Sequence, residues 1–161
     1  MSHRLIAQPL TTAAFAAFGE VLEVSGPPDK LINAGLCARF HDRARLDFAE
    51  ARAGISIFKS ASFSLPYPLA LVERHPEGSQ AFICMSADPF LVVVAPDEGG
   101  TPGTPLAFIT SGTQGVNIRR NAWHGVLTPL SGPGLFAVID RIGSTPNLEE
   151  YHFAAPGYLV E

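Results

Sequence analysis

Apolar and polar positions alternate along this chain in many short runs, each closed by glycine, proline or small polar residues. Residues two apart share one face of a strand, so this period predicts a succession of short β-strands. The predicted strands cover Glu20 to Val24, Leu36 to His41, Ile55 to Ser60, Leu69 to His75, Gln80 to Met85, Leu106 to Thr110, Gly115 to Ile118, Trp123 to Leu127 and Leu135 to Arg141. Phe90-Leu91-Val92-Val93-Val94-Ala95 is apolar throughout and predicts a strand buried on both faces. One stretch breaks the period. Thr11 to Phe18 predicts a short helix, with Thr11 as N-cap, Leu10 and Phe15 as a hydrophobic staple and Gly19 as its stop.

Between these elements the chain reads as turns: Leu65-Pro66-Tyr67-Pro68 is stiff, Pro96 to Pro105 is a loop, and Asp42 to Arg52 is a charged connection. The rhythm predicts an all-β sandwich or barrel with one short N-terminal helix. In Leu36 to His41, a core-facing Phe40 would put Arg39 and His41 together on the other side. The tail from Gly143 to Glu161 has mixed polarity and is expected to cover an open end of the fold or a neighbouring subunit.

Composition narrows this reading. The 161 residues suit one domain over positions 1–161, and the 15 glycines and 14 prolines, without a repeat, fit many tight turns. Only 16% of residues are charged, the net charge is −4 and no lysine or arginine cluster occurs, which excludes nucleic acid and anionic membrane as expected partners. No apolar run approaches the roughly 18 residues of a membrane span, and the start lacks the apolar run of a signal peptide. A cytoplasmic protein is expected. Cys37 and Cys84 show no CxxC spacing and are expected as reduced thiols packed in the core.

Chemistry concentrates around one turn. Strands on either side of Pro76-Glu77-Gly78-Ser79 place Glu73 and His75 on one face, with Gln80 opening the return strand, while Arg74 points the other way towards a surface or dimer salt bridge. A carboxylate, an imidazole and an amide brought together in this way suit a metal site or an acid/base site. The frame resembles the first motif of the cupin superfamily, where Glu73, His75, Gln80 and Ala87 occupy the positions of His, His, Glu and Gly. His124 falls where the second cupin motif carries its histidine.

Longer motifs point to a narrower family. Asn33-Ala34-Gly35-Leu36 with Arg39-Phe40-His41-Asp42, Glu73-Arg74-His75-Pro76 with Gln80-Ala81-Phe82, Phe108-Ile109-Thr110 with Gly112 and Gln114 to Asn117, and Arg120-Asn121 with Trp123-His124 closely resemble the ureidoglycolate lyases. The likeness runs in order from about Leu10 to Gly143. It implies a cupin-like β-barrel of jelly-roll type, a homodimer, and an amidine-type carbon–nitrogen lyase. The implied reaction splits the small-molecule substrate ureidoglycolate into glyoxylate and urea during allantoin and purine nitrogen breakdown. It also implies a divalent metal, nickel among the choices, or no metal at all, since Glu73 and Gln80 depart from the superfamily's ligand letters.

Ureidoglycolate is a carbinolamide, and breaking its C–N bond requires a base on the hydroxyl, an acid on the ureido nitrogen and a cationic seat for the carboxylate. The expected catalytic residues are His124, His75 and Glu73, with Glu73 orienting an imidazole or serving as base. Glu73, His75, Gln80 and His124 are the expected metal ligands. Arg120 or Arg39 would hold the carboxylate through a forked pair of hydrogen bonds, and Asn117 and Gln80 the urea end, with His41 in support. Arg119 alternates with Arg120, so at most one of them faces the site, and the family pattern selects Arg120. His3 and His152 sit in terminal segments without an expected role, and Trp123 is expected as a barrel-wall residue. Two other functions suit the frame: a metal-dependent cupin isomerase or dioxygenase, and a non-catalytic cupin that binds a small metabolite.

Overall fold

A computed structural model describes residues 3–155 and 157–161. Two sheets face each other. One has five strands, ordered Gly19–Leu22, Gly115–Ile118, Gln80–Cys84, Leu135–Ile142 and Arg52–Lys59. The other has seven, ordered Glu149–His152, Leu71–Arg74, Trp123–His124, Phe90–Ala95, Leu106–Ile109 and Gln8–Pro9, with Thr128–Pro129 also pairing with Phe90–Ala95. Backbone pairing does not run continuously around the two sheets. This all-β architecture with one short helix fits the expected cupin-like fold.

Strand alternation explains where the core lies. Val21, Phe82, Val116, Ile118, Phe136 and Val138 from the first sheet meet Phe90, Val92, Val94 and Phe108 from the second. Phe15, from the helix Thr12–Phe15, plugs one margin of this core, with Thr11 as N-cap accepting from the Ala14 amide at 3.2 Å. The helix is shorter than expected, because residues 16–18 turn back to start the Gly19–Leu22 strand. On the other face of the second sheet, Leu91, Val93 and Ala95 join Val72, Trp123, Leu69 and Val160 in a separate apolar layer. That layer is covered by a three-stranded sheet of His3–Leu5, Tyr158–Val160 and Tyr67–Leu69. Phe90–Ala95 is therefore buried on both faces, as its continuous apolar run predicts.

Several expectations are corrected. Residues 36–41 do not cover a core. They form one limb of a hairpin, Lys30–Ile32 against Cys37–Arg39, in which Leu31, Leu36 and Ala38 are exposed. Cys37 lies on that hairpin and is exposed, whereas Cys84 is half-buried and packs against the core, as expected. The Pro96 to Pro105 loop contains a small ladder, Asp97–Glu98 with Thr101–Pro102. The tail contributes two strands, Glu149–His152 beside Leu71–Arg74 and Tyr158–Val160 between His3–Leu5 and Tyr67–Leu69. Among the described residues no helix is long and apolar enough to cross a membrane.

The position of the core sets a contrast in stability. Phe136 is 1% exposed and packs edge-on against Phe90, so Phe136→Ala is expected to lower unfolding stability by about 3–5 kcal/mol. Leu106→Ala, at 43% exposure, is expected to stay within about 0.5 kcal/mol of the parent. Urea titration of both variants measures the difference.

Candidate active site

The register of the second sheet determines which side chains enter the space between the sheets. His124 pairs with Val94 on one side and with Glu73 on the other, so all three share the inner face. Trp123 and Arg74, one residue along, face outward. Trp123 is buried in the outer layer, its Nε1 donating to Asp97 Oδ1 at 2.9 Å, and the Arg74 guanidinium stacks 4.3 Å above its ring. Arg74 also pairs with Asp97 at 2.9 Å and Glu149 at 2.6 Å, within the same chain. From the opposing sheet Gln80 and Asp140 point inward, because Gln80 lies opposite Ile118 and Asp140 extends the Phe136, Val138 row.

Glu73, His75 and His124 meet at the end of the sandwich with their donor atoms within 4.8 Å of one another. Glu73 Oε1 stands 3.6 Å from His124 Nε2 and 3.9 Å from His75 Nε2, and the rings lie 5.2 Å apart. A backbone carbonyl fixes each ring from behind: Asn147 O at 2.7 Å from His75 Nδ1, and Ala122 O at 2.9 Å from His124 Nδ1. A carbonyl accepts only, so both Nδ1 atoms donate, and both Nε2 atoms face the carboxylate. His124 is 1% exposed and its Nε2 is buried without a hydrogen-bond partner. A buried, unpartnered lone pair aimed at a carboxylate and a second imidazole is the donor set of a metal or proton-transfer site. The Glu73 carboxyl is held below its ordinary value chiefly by the His124 ring 3.6 Å away, which can donate to it when protonated, and by the charge of both imidazoles, against the opposing effect of burial.

Gln80 completes the near side. Its Nε2 donates to Asp140 Oδ2 at 3.3 Å, which turns Oε1 towards His75 Nε2 at 3.2 Å. His75 thus has an acceptor at each ring nitrogen, a pairing the imidazolium satisfies fully. The turn beneath it is braced on several sides: Asn147 Oδ1 accepts from the Glu77 amide at 2.6 Å, Arg141 pairs with Glu77 at 2.9 Å, and Asn121 N donates to His75 O at 2.9 Å. Gly78 is required here, since a Cβ would lie 2.8 Å from Arg141 Cβ.

The other expected site residues lie elsewhere. Asn117 pairs with Ala81, one step out of phase with Gln80, and therefore projects from the opposite face of its sheet, where its Nδ2 donates to Glu20 Oε2 and to Arg45 O. Arg120 turns outward, donates to Pro76 O at 2.6 Å and lies 3.8 Å from Asp47, in a cleft shared with Glu20, Arg45 and Arg119. Arg39 and His41 do share one side, 2.8 Å apart, but on the projecting hairpin. Reading the sequence missed Asp140 and Asn147. Asp140 is signalled as a charge in the apolar row of the Leu135 to Arg141 strand. Asn147 acts through its backbone carbonyl from an aperiodic segment, which no side-chain pattern marks.

The sequence matches the ureidoglycolate lyase profile over residues 2–161. The chain belongs to the ureidoglycolate lyase family. It is 58% identical to the ureidoglycolate lyase of Rhodobacter capsulatus over 159 residues, covering 98% of each chain. It is 53% identical to ureidoglycolate lyase 2 of Rhizobium meliloti, over 96% of this chain and 95% of that one. The ureidoglycolate lyase of a Chelativorans species is 49% identical, over 95% and 94% respectively.

The Glu73 environment gives a signed pH dependence. Its carboxyl loses its proton more readily in the folded chain than in the unfolded one. The stabilisation is therefore complete above the ordinary value of 4.5 and lost as pH falls through the lower folded value. Glu73→Gln is expected to melt below the parent at pH 7, with the gap closing progressively below about pH 4.5. Melting curves from pH 7 to pH 3 measure it, and a constant gap refutes the assignment.

Proposed function

We propose that this chain, acting as one domain over residues 1–161, cleaves ureidoglycolate to glyoxylate and urea as an amidine-type lyase. The observation that carries this reading is the pair of imidazoles facing one carboxylate at the end of the sandwich, in a chain 58% identical to a ureidoglycolate lyase. Both products follow from proton transfer alone: one proton leaves the carbinol hydroxyl, another reaches the ureido nitrogen, the C–N bond breaks and C=O forms, with no water consumed.

In this reading His124 Nε2 takes the hydroxyl proton, and Glu73, 3.6 Å away, stabilises the charge the ring acquires. His75, with acceptors at both nitrogens, delivers the proton to the departing nitrogen. Gln80, held by Asp140, orients the donor ring and offers Oε1 to an N–H of the urea end. The same donor set fits a divalent metal. Glu73, His75 and His124, with Gln80 Oε1, would hold it, nickel among the choices, and it would supply polarisation of the carbinol oxygen. The two uses of the Nε2 lone pairs exclude each other, so chelation separates them.

We further place the enzyme in the cytoplasm, within allantoin and purine nitrogen breakdown, as a homodimer. The exposed, unpaired thiol of Cys37 supports a reducing compartment. The outer face of the five-stranded sheet supports self-association: Ile55 is 74% exposed and Ile57 60%, with Ile83 and Met85 beside them.

Glyoxylate and urea should appear in equal amounts from racemic ureidoglycolate, above the spontaneous rate. His124→Ala is expected to reduce kcat/KM by about a hundred-fold or more. Activity lost on chelation and restored by nickel, manganese or zinc assigns the lone pairs to the metal, and retained activity assigns them to proton transfer. No product under any condition removes the lyase reading in favour of a metabolite-binding role.

A further inference from the structure

We propose that Arg141 is a positioning residue for the lyase reaction: clasped between turn 76–79 and segment 143–147, it holds the Asn147 carbonyl against the His75 ring. The inference rests on the lyase reading above and deepens it.

Arg141 follows Asp140 on the strand Leu135–Ile142, so it leaves the opposite face of the sheet from the one that carries the site. It is nevertheless folded in. Its side chain is 9% exposed, and two glycines close over it: a Cβ on Gly78 would lie 2.8 Å from Arg141 Cβ, and one on Gly143 would lie 2.5 Å from Arg141 Nη2. The guanidinium joins the two stretches. Its Nη2 pairs with Glu77 of the turn at 2.9 Å and donates to Thr145 Oγ1 of the segment at 2.6 Å, and the Thr145 hydroxyl donates in turn to Glu77 Oε2. This closed ring of three ties together residues 68 positions apart in the chain.

Stability does not account for the arrangement. An ion pair to a partly exposed carboxylate contributes little, and Arg141 Nε is buried without a hydrogen-bond partner, which weighs against the fold. What the ring provides is geometry. Segment 143–147 meets the site at Asn147, whose Oδ1 accepts from the Glu77 amide at 2.6 Å and whose carbonyl accepts from His75 Nδ1 at 2.7 Å. On the far side Glu149 is fixed to Arg74, by strand register and by an ion pair at 2.6 Å. Residues 146–148 therefore span a short gap between two anchors, Thr145 and Glu149, and the Asn147 carbonyl is placed while both hold. Arg141 supplies the first anchor. Releasing it frees the carbonyl and, with it, the ring that delivers the proton to the departing nitrogen. A misplaced donor slows the bond-breaking step more than it weakens substrate binding.

Steady-state kinetics on ureidoglycolate test this. Arg141→Met keeps the stem over Gly78 and removes the guanidinium, while Thr145→Val, at an exposed position, opens the ring without disturbing the core. Both are expected to lower kcat about ten-fold with KM within about two-fold of the parent, and Thr145→Ser, which keeps the hydroxyl, to restore it. In a chain already carrying His75→Ala, Arg141→Met is expected to cost nothing further, since the ring it positions is gone. A second ten-fold loss there shows that Arg141 acts by another route and overturns the proposal, as does an unchanged kcat in both single variants. A proton magnetic resonance spectrum reads the clasp without turnover. The His75 Nδ1 proton, held on the Asn147 carbonyl, is expected as a resolved low-field signal in the parent, absent from His75→Ala and lost in Arg141→Met. A parent without that signal, or an Arg141→Met chain that keeps it, overturns the proposal. A chain that shows these spectral changes but releases no glyoxylate removes the lyase reading and leaves the clasp in place.

Discussion

The pairing of Trp123–His124 between its two neighbouring strands is the constraint on which the rest of the site depends. This strand is only two residues long, and its register places His124 opposite Glu73 and Val94 while Trp123 lies opposite Ala95. A slip of one residue would exchange the two faces, burying an indole between the sheets and sending the imidazole into the outer apolar layer. The short strand does not hold this register alone. The Trp123 indole donates to Asp97, its ring lies under Arg74, and the Ala122 carbonyl fixes the His124 ring. Apolar packing on one face therefore determines where the polar chemistry stands on the other.

The site also shows how a polar group is tolerated at the end of a hydrophobic sandwich. Phe82, Val94, Val116 and Val138 fill the middle of the inner space, and Gln80, His124, Glu73 and Asp140 continue the same inner rows towards one end. Burial alone would raise the Glu73 carboxyl, yet the adjoining imidazoles outweigh it and keep the group charged. The partners that make this possible are largely backbone carbonyls and one amide, groups that bring no charge of their own and do not move with pH.

Most of the fold was legible in the chain because its causes are local. The alternation of Leu135 to Arg141, the apolar run Phe90 to Ala95 and the Thr11 cap each act within a few residues, and each element begins where expected. Glu73, His75, Gln80 and His124 were legible for a similar reason, since a hairpin and its period bring the first three together. Asn117 failed on phase: its offset of one position from Gln80 reverses its face, and only the register of Gly115–Ile118 against Gln80–Cys84 shows it. Leu36 to His41 failed on partner. Alternation predicts a strand without saying whether a core lies beneath it, and here none of the chain's own does. Asn147 was out of reach because its contribution is a carbonyl that every residue type possesses.

The Asn147 carbonyl behind His75 has a further meaning for how the protein comes into being. His75 is translated long before the residue that fixes its ring, and the His3–Leu5 strand waits still longer for Tyr158–Val160. The sandwich core, complete by Ile142, can condense while the nascent chain is still being extended, but the His75 Nδ1 lacks its acceptor until Asn147 arrives. The candidate site is thus among the last parts of the fold to receive its partners as the chain is made.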